Sequence, residues 1–470
     1  MKKLLKKIVP ARLLNNLLPF YHRSLAFLAA VRYGFPSREI IVIGVTGTKG
    51  KTTTVELIAK IFNNAGNKTA LSNSLRFKVG HRTWKNTTKT SMPGRFMIQR
   101  LLRNAVTENC DVFILEMTSE GAKQYRHTFI NLDAFVFLNI TPEHIESHGS
   151  YEKYLAAKIS LASALTRSKK KRKILVLNKD QEESKAFLPL KKHIDEVYTF
   201  SIKDAEPYRV LSGGIIFRLE NEDVRSPLPG EFSIKNAVAA SAVARVFDIQ
   251  TDIIRKALAE FKGLRGRVEK IESEEDFDVY VDNAHTPDSF EALFKSFPTK
   301  RIIAVFGSAG GGRDTWKRPA LGKTADAHAS EIILTTEDSY DEDPEKILRD
   351  IASGIRAVTP EIIIDRREAI RTALKHGRVN TAILILGKGS EPYQTIRGVT
   401  HDWDDARVVR EELEKLRIER IRKERRTPPK KRKEKVFKEI PTKETGSQKK
   451  PRKKTATKVR KAQSPSRKKR

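Results

Sequence analysis

One cysteine, Cys110, stands among 470 residues, so the chain can neither close a disulfide on itself nor build a cysteine metal cluster. A reducing cytosol suits it. Long apolar runs are also missing: near the N-terminus the longest uncharged one, Ser24 to Val31, has eight residues. That is too short for a membrane span, and no small-residue cleavage site follows it, so neither a transmembrane helix nor a secretory signal is expected. No internal repeat is visible. At about 100 to 200 residues per domain, the length allows two or three domains with sizeable cores.

Acidic residues are scarce at both ends. Lys and Arg number 91 against 58 Asp and Glu, a net charge of +33. The first 40 residues carry eight basic residues and one acid, and Arg426 to Arg470 carry twenty and three, leaving +9 for the 385 residues between. The high pI therefore describes appendages around an ordinary soluble body. At the N-terminus Lys2, Lys3, Lys6 and Lys7 alternate with leucines. This reads either as a basic amphipathic helix for an anionic membrane surface or as a helix that packs on the body. The C-terminal stretch has almost nothing apolar to bury and is expected to be a disordered basic tail able to hold a polyanion.

Between the ends, short apolar runs alternate with helical patterns: Ile40 to Val45, Val112 to Leu115, Ala134 to Leu138, Ile174 to Leu177. Continuous apolar strands of this kind suit a parallel sheet covered on both faces. A second set follows at Val279 to Val281, Ile302 to Phe306, Ile332 to Leu334 and Ala382 to Leu386, with a helix expected over Pro344 to Val358. The expected architecture is α/β: a segment 1–39, a P-loop domain 40–264 with a mostly parallel sheet, a smaller Rossmann-like domain 265–416, and the tail 417–470.

The clearest chemical signal is Gly44-Val45-Thr46-Gly47-Thr48-Lys49-Gly50-Lys51-Thr52-Thr53-Thr54, after a strand and before a helix expected from about Thr53 to Asn64. Glycines let backbone N–H groups face the phosphates, Lys51 neutralises them, Thr52 offers a hydroxyl to Mg²⁺, and the helix N-terminus adds positive potential. Val45 stands where the general phosphate loop has glycine. A metal-organising acid is needed as well, and Glu116 ends the Val112-Phe113-Ile114-Leu115 run.

The motifs continue through Glu116-Met117-Thr118-Ser119-Glu120-Gly121, Leu138-Asn139-Ile140-Thr141-Pro142-Glu143-His144, Tyr154-Leu155-Ala156-Ala157-Lys158, and Leu228-Pro229-Gly230-Glu231-Phe232 with Asn236. Then come Leu264-Arg265-Gly266-Arg267-Val268-Glu269, Val281-Asp282-Asn283-Ala284-His285, Gly387-Lys388-Gly389-Ser390-Glu391 and Asp404-Asp405. This order resembles the Mur ligase family, ATP-dependent amide-forming enzymes of peptidoglycan synthesis, and within it the branch that extends UDP-N-acetylmuramoyl-L-alanyl-D-glutamate. The resemblance spans about Ile40 to Leu416 and implies a cytoplasmic, monomeric ligase. Such an enzyme joins an amino acid, a diamino acid in this branch, to a UDP-N-acetylmuramoyl-peptide through an acyl phosphate.

The resemblance also implies roles. Gly47, Thr48, Lys49, Gly50, Lys51, Thr52 and Thr53 would hold ATP, with Arg267, Asp282 and His285 reaching it from the second domain. Thr52, Glu116, His144 and a carbamylated Lys158 would hold Mg²⁺. The residues themselves single out Lys158, which falls on one helical stripe with Tyr151, Leu155, Ala162 and Leu165; a snorkelling lysine fits that stripe too. His148 reads as an ordinary loop histidine. Thr87, Thr88, Thr118, Gln124 and Arg126 would hold the muramoyl-peptide. Arg313, Asp338, Gly387 and Glu391 would hold the incoming amino acid, Arg313 by its carboxylate and Glu391 by a distal ammonium.

Departures are as informative. The family's separate uridine-binding domain before the P-loop is replaced here by some forty residues, which opens the identity of the donor. The loop that reads Asp-Asn-Pro-Arg in diaminopimelate-adding members is Glu337-Asp338-Ser339-Tyr340, without the arginine, so lysine or another diamino acid is open. Gly310-Gly311-Gly312 before Arg313 has one extra residue, and Ser390 replaces a histidine. Two other functions fit parts of the chain. One is a folylpolyglutamate-type or cyanophycin-type ligase sharing the P-loop; the other is a polyanion-binding or nucleic-acid-binding ATPase, suggested by the tail alone, which has no aromatic interleaving for base stacking.

Overall fold

The computed structural model describes residues 11–88, 90–142, 145–312 and 314–426. The segment 1–10 and residues 427–470 of the basic tail lie outside these, as do His144 and Arg313. The four apolar runs become β1 (Ile41–Thr46), β5 (Val112–Glu116), β6 (Ala134–Phe137) and β7 (Ile174–Asn178), joined by β2 (Thr69–Ser72), β3 (Arg76–Val79), β4 (Arg82–Lys85) and β8 (Glu196–Phe200). They form one sheet in the order β4-β3-β2-β5-β1-β6-β7-β8. From β2 to β8 the pairing is parallel, and β3 and β4 add an antiparallel edge.

Both faces are covered, which is why the central strands carry no polar alternation. Ile43, Val45 and Ile114 face the helices α2 (Lys51–Asn64), α6 (Glu231–Val246) and α7 (Thr251–Glu260), while Val42, Phe113 and Leu115 face the other side. That second face is closed by α3 (Arg95–Thr107) and α5 (Tyr151–Leu161), with the short α4 (Ser119–Lys123) after β5. The N-terminal α1 (Ala11–Arg32) lies on α3. Register fixes the site: Val45 pairs with Glu116 across β1 and β5, so the P-loop and the acid leave adjacent strand ends. A small antiparallel sheet, β9 (Tyr208–Leu211), β10 (Gly214–Leu219) and β11 (Glu222–Ser226), follows.

The second sheet is built from β12 (Glu269–Ile271), β13 (Asp278–Asp282), β14 (Arg301–Phe306), β15 (Glu331–Leu334), β16 (Glu361–Ile362) and β17 (Thr381–Leu386), in the order β12-β13-β17-β14-β15-β16. Only β12 is antiparallel. Helices α8 (Pro287–Phe294), α9 (Lys317–His328), α10 (Pro344–Ala352), α11 (Arg366–His376) and α12 (Asp405–Arg426) surround it, and a hairpin of β18 (Tyr393–Ile396) and β19 (Val399–Asp402) stands after β17. The start of α12 is fixed by Asp405, whose two oxygens accept 2.8 Å bonds from Arg366; both side chains are fully buried.

Three boundaries differ from the sequence expectation, and several strands are additional to it. Helix α2 begins at Lys51 and not Thr53, because Gly50 at φ 79° turns the chain directly into the first helical residue. Helix α10 stops at Ala352 and not Val358: Ser353 caps it and Gly354 sits against the Pro319 carbonyl, where a Cβ would come within 1.9 Å. Order does not end at Leu416, since α12 continues to Arg426. Its Glu, Lys and Arg residues are strong helix formers, and Arg417 lies 3.6 Å from Glu414 one turn back. The hairpin strands β3 and β4 and the β9 to β11 sheet were not expected from the sequence; β4, β9 and β11 are short and carry exposed polar residues.

Candidate active site

The P-loop leaves β1 at Thr46 and enters α2 at Lys51. A Cβ at Gly50 would lie 2.2 Å from Asn236 Oδ1, so glycine is required there by contact as well as by φ. Asn139, at the end of β6, pins the loop: its Oδ1 accepts from Thr48 N (3.0 Å) and Lys49 N (2.9 Å), and its Nδ2 donates to Lys49 O (3.1 Å). Lys51 Nζ donates to Gly47 O (3.0 Å) and Thr48 O (2.9 Å), so its charge is folded over the loop. Thr53 follows one residue into α2, half-buried.

Thr52 and Glu116 meet. Thr52 Oγ1 donates to Glu116 Oε2 at 2.9 Å, both side chains are buried, and Ser74 completes the group with N–H donating to the same oxygen at 3.0 Å. Ser74 Oγ lies 2.8 Å from Thr52 Oγ1. Sequence reasoning had missed Ser74, which no local motif marks. Thr48 Oγ1 is 3.0 Å from Tyr154 Oη on α5, and one turn on from Tyr154 is Lys158. Lys158 is 1 % exposed, its Nζ 4.6 Å from the Tyr154 ring centroid. It is therefore a buried lysine beside the P-loop and not a snorkelling surface one. The histidine set aside as an ordinary loop residue, His148, is also buried, 3.1 Å from Ser119 Oγ and 3.4 Å from Glu120.

Among the described residues no three His, Cys, Asp or Glu side chains gather as a ready-made metal site. The hard oxygen donors beside the P-loop are the Thr52 hydroxyl and the Glu116 carboxylate, oxygen donors of the kind Mg²⁺ takes.

Across the site stands the end of β13. Asp282 accepts from Val268 N (2.8 Å) and Ala284 N (2.6 Å), and burial holds its carboxyl above the usual range against the charges of Arg267 and His285. His285 Nδ1 sits 2.7 Å from Asn283 O, which fixes its proton on that nitrogen. The two sheets touch at the nucleotide loop itself, where Lys49 Nζ donates to Thr286 Oγ1 at 2.6 Å.

Beyond β17 lies a buried acid cluster. Lys388, fully buried, donates to Asp338 Oδ2 and Glu391 Oε2, each at 2.8 Å. Burial pulls its ammonium down, but Glu391, Asp338 and Glu337 outweigh it and hold it above the usual lysine value. The Glu337 carboxyl is also raised, by burial, and its Oε2 is buried without a hydrogen-bond partner. Gly387, at φ 105°, has room for no side chain, since a Cβ would meet that oxygen at 2.7 Å. Glu391, expected to face a substrate ammonium, thus already holds an internal one.

Of the residues expected at the donor end, Thr118, Gln124 and Arg126 lie at α4 and just after it, while Thr87 and Thr88 follow β4. Thr118 caps that helix, its Oγ1 accepting from Gly121 N (3.1 Å). Gln124 Oε1 accepts from Arg126 Nη2 (2.9 Å), and Arg126 also donates to Met92 O. Thr88 is held by Asn86 at 2.7 Å, while Thr87 is exposed. Arg95, absent from the sequence reading, donates to Gln124 O at 2.6 Å. Burial and the neighbouring Arg95 charge lower the Arg126 guanidinium, and two close cations suit an anionic ligand.

Residues 45–244 match the Mur ligase middle domain and residues 266–389 the Mur ligase glutamate ligase domain. A UDP-N-acetylmuramoyl-L-alanyl-D-glutamate–2,6-diaminopimelate ligase of Halalkalibacterium halodurans is 35 % identical over 402 residues, covering 83 % of this chain and 82 % of the relative. The chain belongs to the Mur ligase family. A second Mur ligase, the UDP-N-acetylmuramyl-tripeptide synthetase of a Roseiflexus species, is 37 % identical over 420 residues, 84 % of this chain and 82 % of that one. Among solved structures, a UDP-N-acetylmuramoyl-L-alanyl-D-glutamate–2,6-diaminopimelate ligase superposes with TM-score 0.58 at 27 % identity, covering 80 % of this chain and 79 % of that one. The folylpolyglutamate synthase of Mycobacterium tuberculosis, complexed with ADP and AMPPCP, shares the Mur ligase fold at 19 % identity (TM-score 0.62, covering 77 % of this chain and 91 % of that one).

Proposed function

We propose that this Mur ligase uses ATP and Mg²⁺ to join a diamino acid to a UDP-N-acetylmuramoyl-peptide in peptidoglycan synthesis. It would act as a monomer in the cytoplasm, at the inner face of the membrane, with residues 40–264 as ATP domain and 265–416 as acceptor domain. The observation that carries this reading is the meeting of Lys51, Thr52 and Glu116 at one P-loop that Lys49 ties to Thr286 of the second sheet. It is supported further by the names of the relatives.

The substrate carboxylate takes the γ-phosphoryl group, giving an acyl phosphate and ADP, and the amine of the incoming amino acid then displaces phosphate. Lys51 and the N–H groups of Gly47 to Thr53 take up phosphate charge, and the protein's part is positioning and electrostatics. Thr52, Glu116, His144 and carbamylated Lys158 would hold Mg²⁺, which neutralises the phosphates and the carboxylate they approach. Arg267, Asp282 and His285 contact ATP from the other side and help exclude water that would hydrolyse the acyl phosphate. Thr87, Thr88, Thr118, Gln124 and Arg126 hold the donor. Arg313, Asp338, Gly387 and Glu391 receive the acceptor, and with Tyr340 in place of an arginine, lysine or a related diamino acid fits as well as diaminopimelate.

The test is incubation with Mg-ATP, UDP-N-acetylmuramoyl-L-alanyl-D-glutamate and either diaminopimelate, lysine or no amino acid, following phosphate release and product mass. Release that depends on one amino acid, with the matching mass gain, is expected. No turnover with any of them, despite ATP binding, would overturn this donor.

A further inference from the structure

We propose that α1 is the face by which this enzyme docks on an anionic lipid bilayer. This deepens the membrane placement above by naming the element and the lipid chemistry. The helix is built the wrong way round for a helix that only covers a core. Its inner face, against α3, is small: Ala26, Ala29 and Ala30 are buried with His22. Its large apolar residues point outward at helical spacing, with Leu17, Phe20, Tyr21, Phe27, Leu28 and Val31 all exposed and Phe20 at 74 %.

The helix is nevertheless held firmly. Arg103 donates to Tyr33 O (2.9 Å) and Gly34 O (3.1 Å) and pairs with Glu39 (2.7 Å). His22 Nδ1 is 3.0 Å from Arg95 Nη2, and the Phe27 and Phe129 rings meet edge-on at 5.3 Å. The outward stripe therefore belongs to an ordered helix.

Charge selects the occupant. No acid occurs before Glu39, while Arg23, Arg32 and Arg38 are exposed around the stripe and Lys2, Lys3, Lys6 and Lys7 precede it in sequence. An apolar stripe with a cationic rim matches acyl chains beneath anionic headgroups. A second copy would set like charges face to face, and a nucleic acid would leave the phenylalanines in water. Because Arg95 also holds Gln124 O, the docking helix is one side chain away from the proposed donor residues, which would place their loop near the bilayer.

The experiment uses the full chain with vesicles of phosphatidylcholine alone or mixed with phosphatidylglycerol. Sedimentation with the anionic vesicles only is expected, and F20S/L28S should lower the partition by about tenfold or more. Phe20→Trp reports on the helix itself: its added fluorescence should shift to the blue and be quenched by lipids brominated on the acyl chains. Equal binding of F20S/L28S with no quenching of F20W would overturn the proposal, leaving other basic segments as the anchor. A dimer of the wild-type chain that F20S/L28S dissociates would overturn it in favour of a second copy. Neither readout uses turnover, so failure here is distinct from failure of the ligase reading.

Discussion

Asp338→Asn is the sharpest probe of the acid cluster beyond β17. Lys388 is fully buried and has two carboxylate partners at equal distance, 2.8 Å, but they differ in setting: Asp338 is buried and the Glu391 side chain is 42 % exposed. The substitution keeps volume, and its retained Oδ1 can still accept the 2.7 Å bond from Thr395 N. It removes the charge and turns the oxygen that accepts from Lys388 into an amide NH2 donor. Breaking a buried ion pair costs about 3–5 kcal/mol. Here Glu391 still bonds the ammonium and buried Glu337 still acts on it, so the expected loss is about 2–3 kcal/mol, near that of one hydrogen bond to a charged group. A fall in melting temperature of about 5–10 °C follows.

The sign with pH is set by the raised lysine. Its stabilisation is complete below the ordinary lysine value and is lost as pH rises through the folded value; Asp338→Asn should move that loss to lower pH. Thermal and urea unfolding of wild type, D338N, K388M and the double variant measure the coupling, expected at about 2 kcal/mol. A loss under about 0.5 kcal/mol, or the same loss in the K388M background, would refute the assignment of Asp338 to Lys388.

Glu116→Gln should lower kcat about 10²- to 10³-fold, with the melting temperature nearly unchanged; a turnover within tenfold of wild type would remove Glu116 from the metal site. Lys158→Ala should abolish turnover, and labelled bicarbonate should give the wild-type chain a carbamyl carbon signal that K158A lacks. An active wild type without that signal would show that Lys158 acts as a plain amine. Burial, aided by the Arg167 charge, pushes His127 down to about 4, so its neutral form is favoured in the folded chain. Its contribution is therefore present above the ordinary histidine value and lost as pH falls from about 6.5 to about 4, up to about 3 kcal/mol. His127→Gln should flatten stability over that window, and an unchanged pH slope would locate the acid sensitivity elsewhere.

The sheets were legible where strands are buried on both faces. Ile43 and Val42 serve opposite sides of one sheet, so no polar residue interrupts the run and the strand announces itself. β4, with all four residues exposed, offered no such signal, whereas β10, whose Ile215, Phe217 and Leu219 join the core, has an alternation that the sequence reading passed over. The P-loop, Glu116 and the unusual placing of Lys158 were legible for a similar reason: contiguous chain carries each motif, and one strand register brings the loop and the acid together. Ser74, Asn139, Arg95 and Lys388 were not assigned, since each acquires its partner from a distant element. Lys388 did leave a trace. A lysine between Gly387 and Gly389, directly after the fully buried strand Thr381–Leu386, emerges where water is excluded and must find acids to stay charged. The two acids it found, Asp338 and Glu391, are ones the sequence reading had placed at the incoming amino acid, Glu391 at its distal ammonium. If the proposed acceptor site holds, internal and incoming ammonium groups would share one acid cluster, and Lys388 would bear on acceptor choice together with Tyr340.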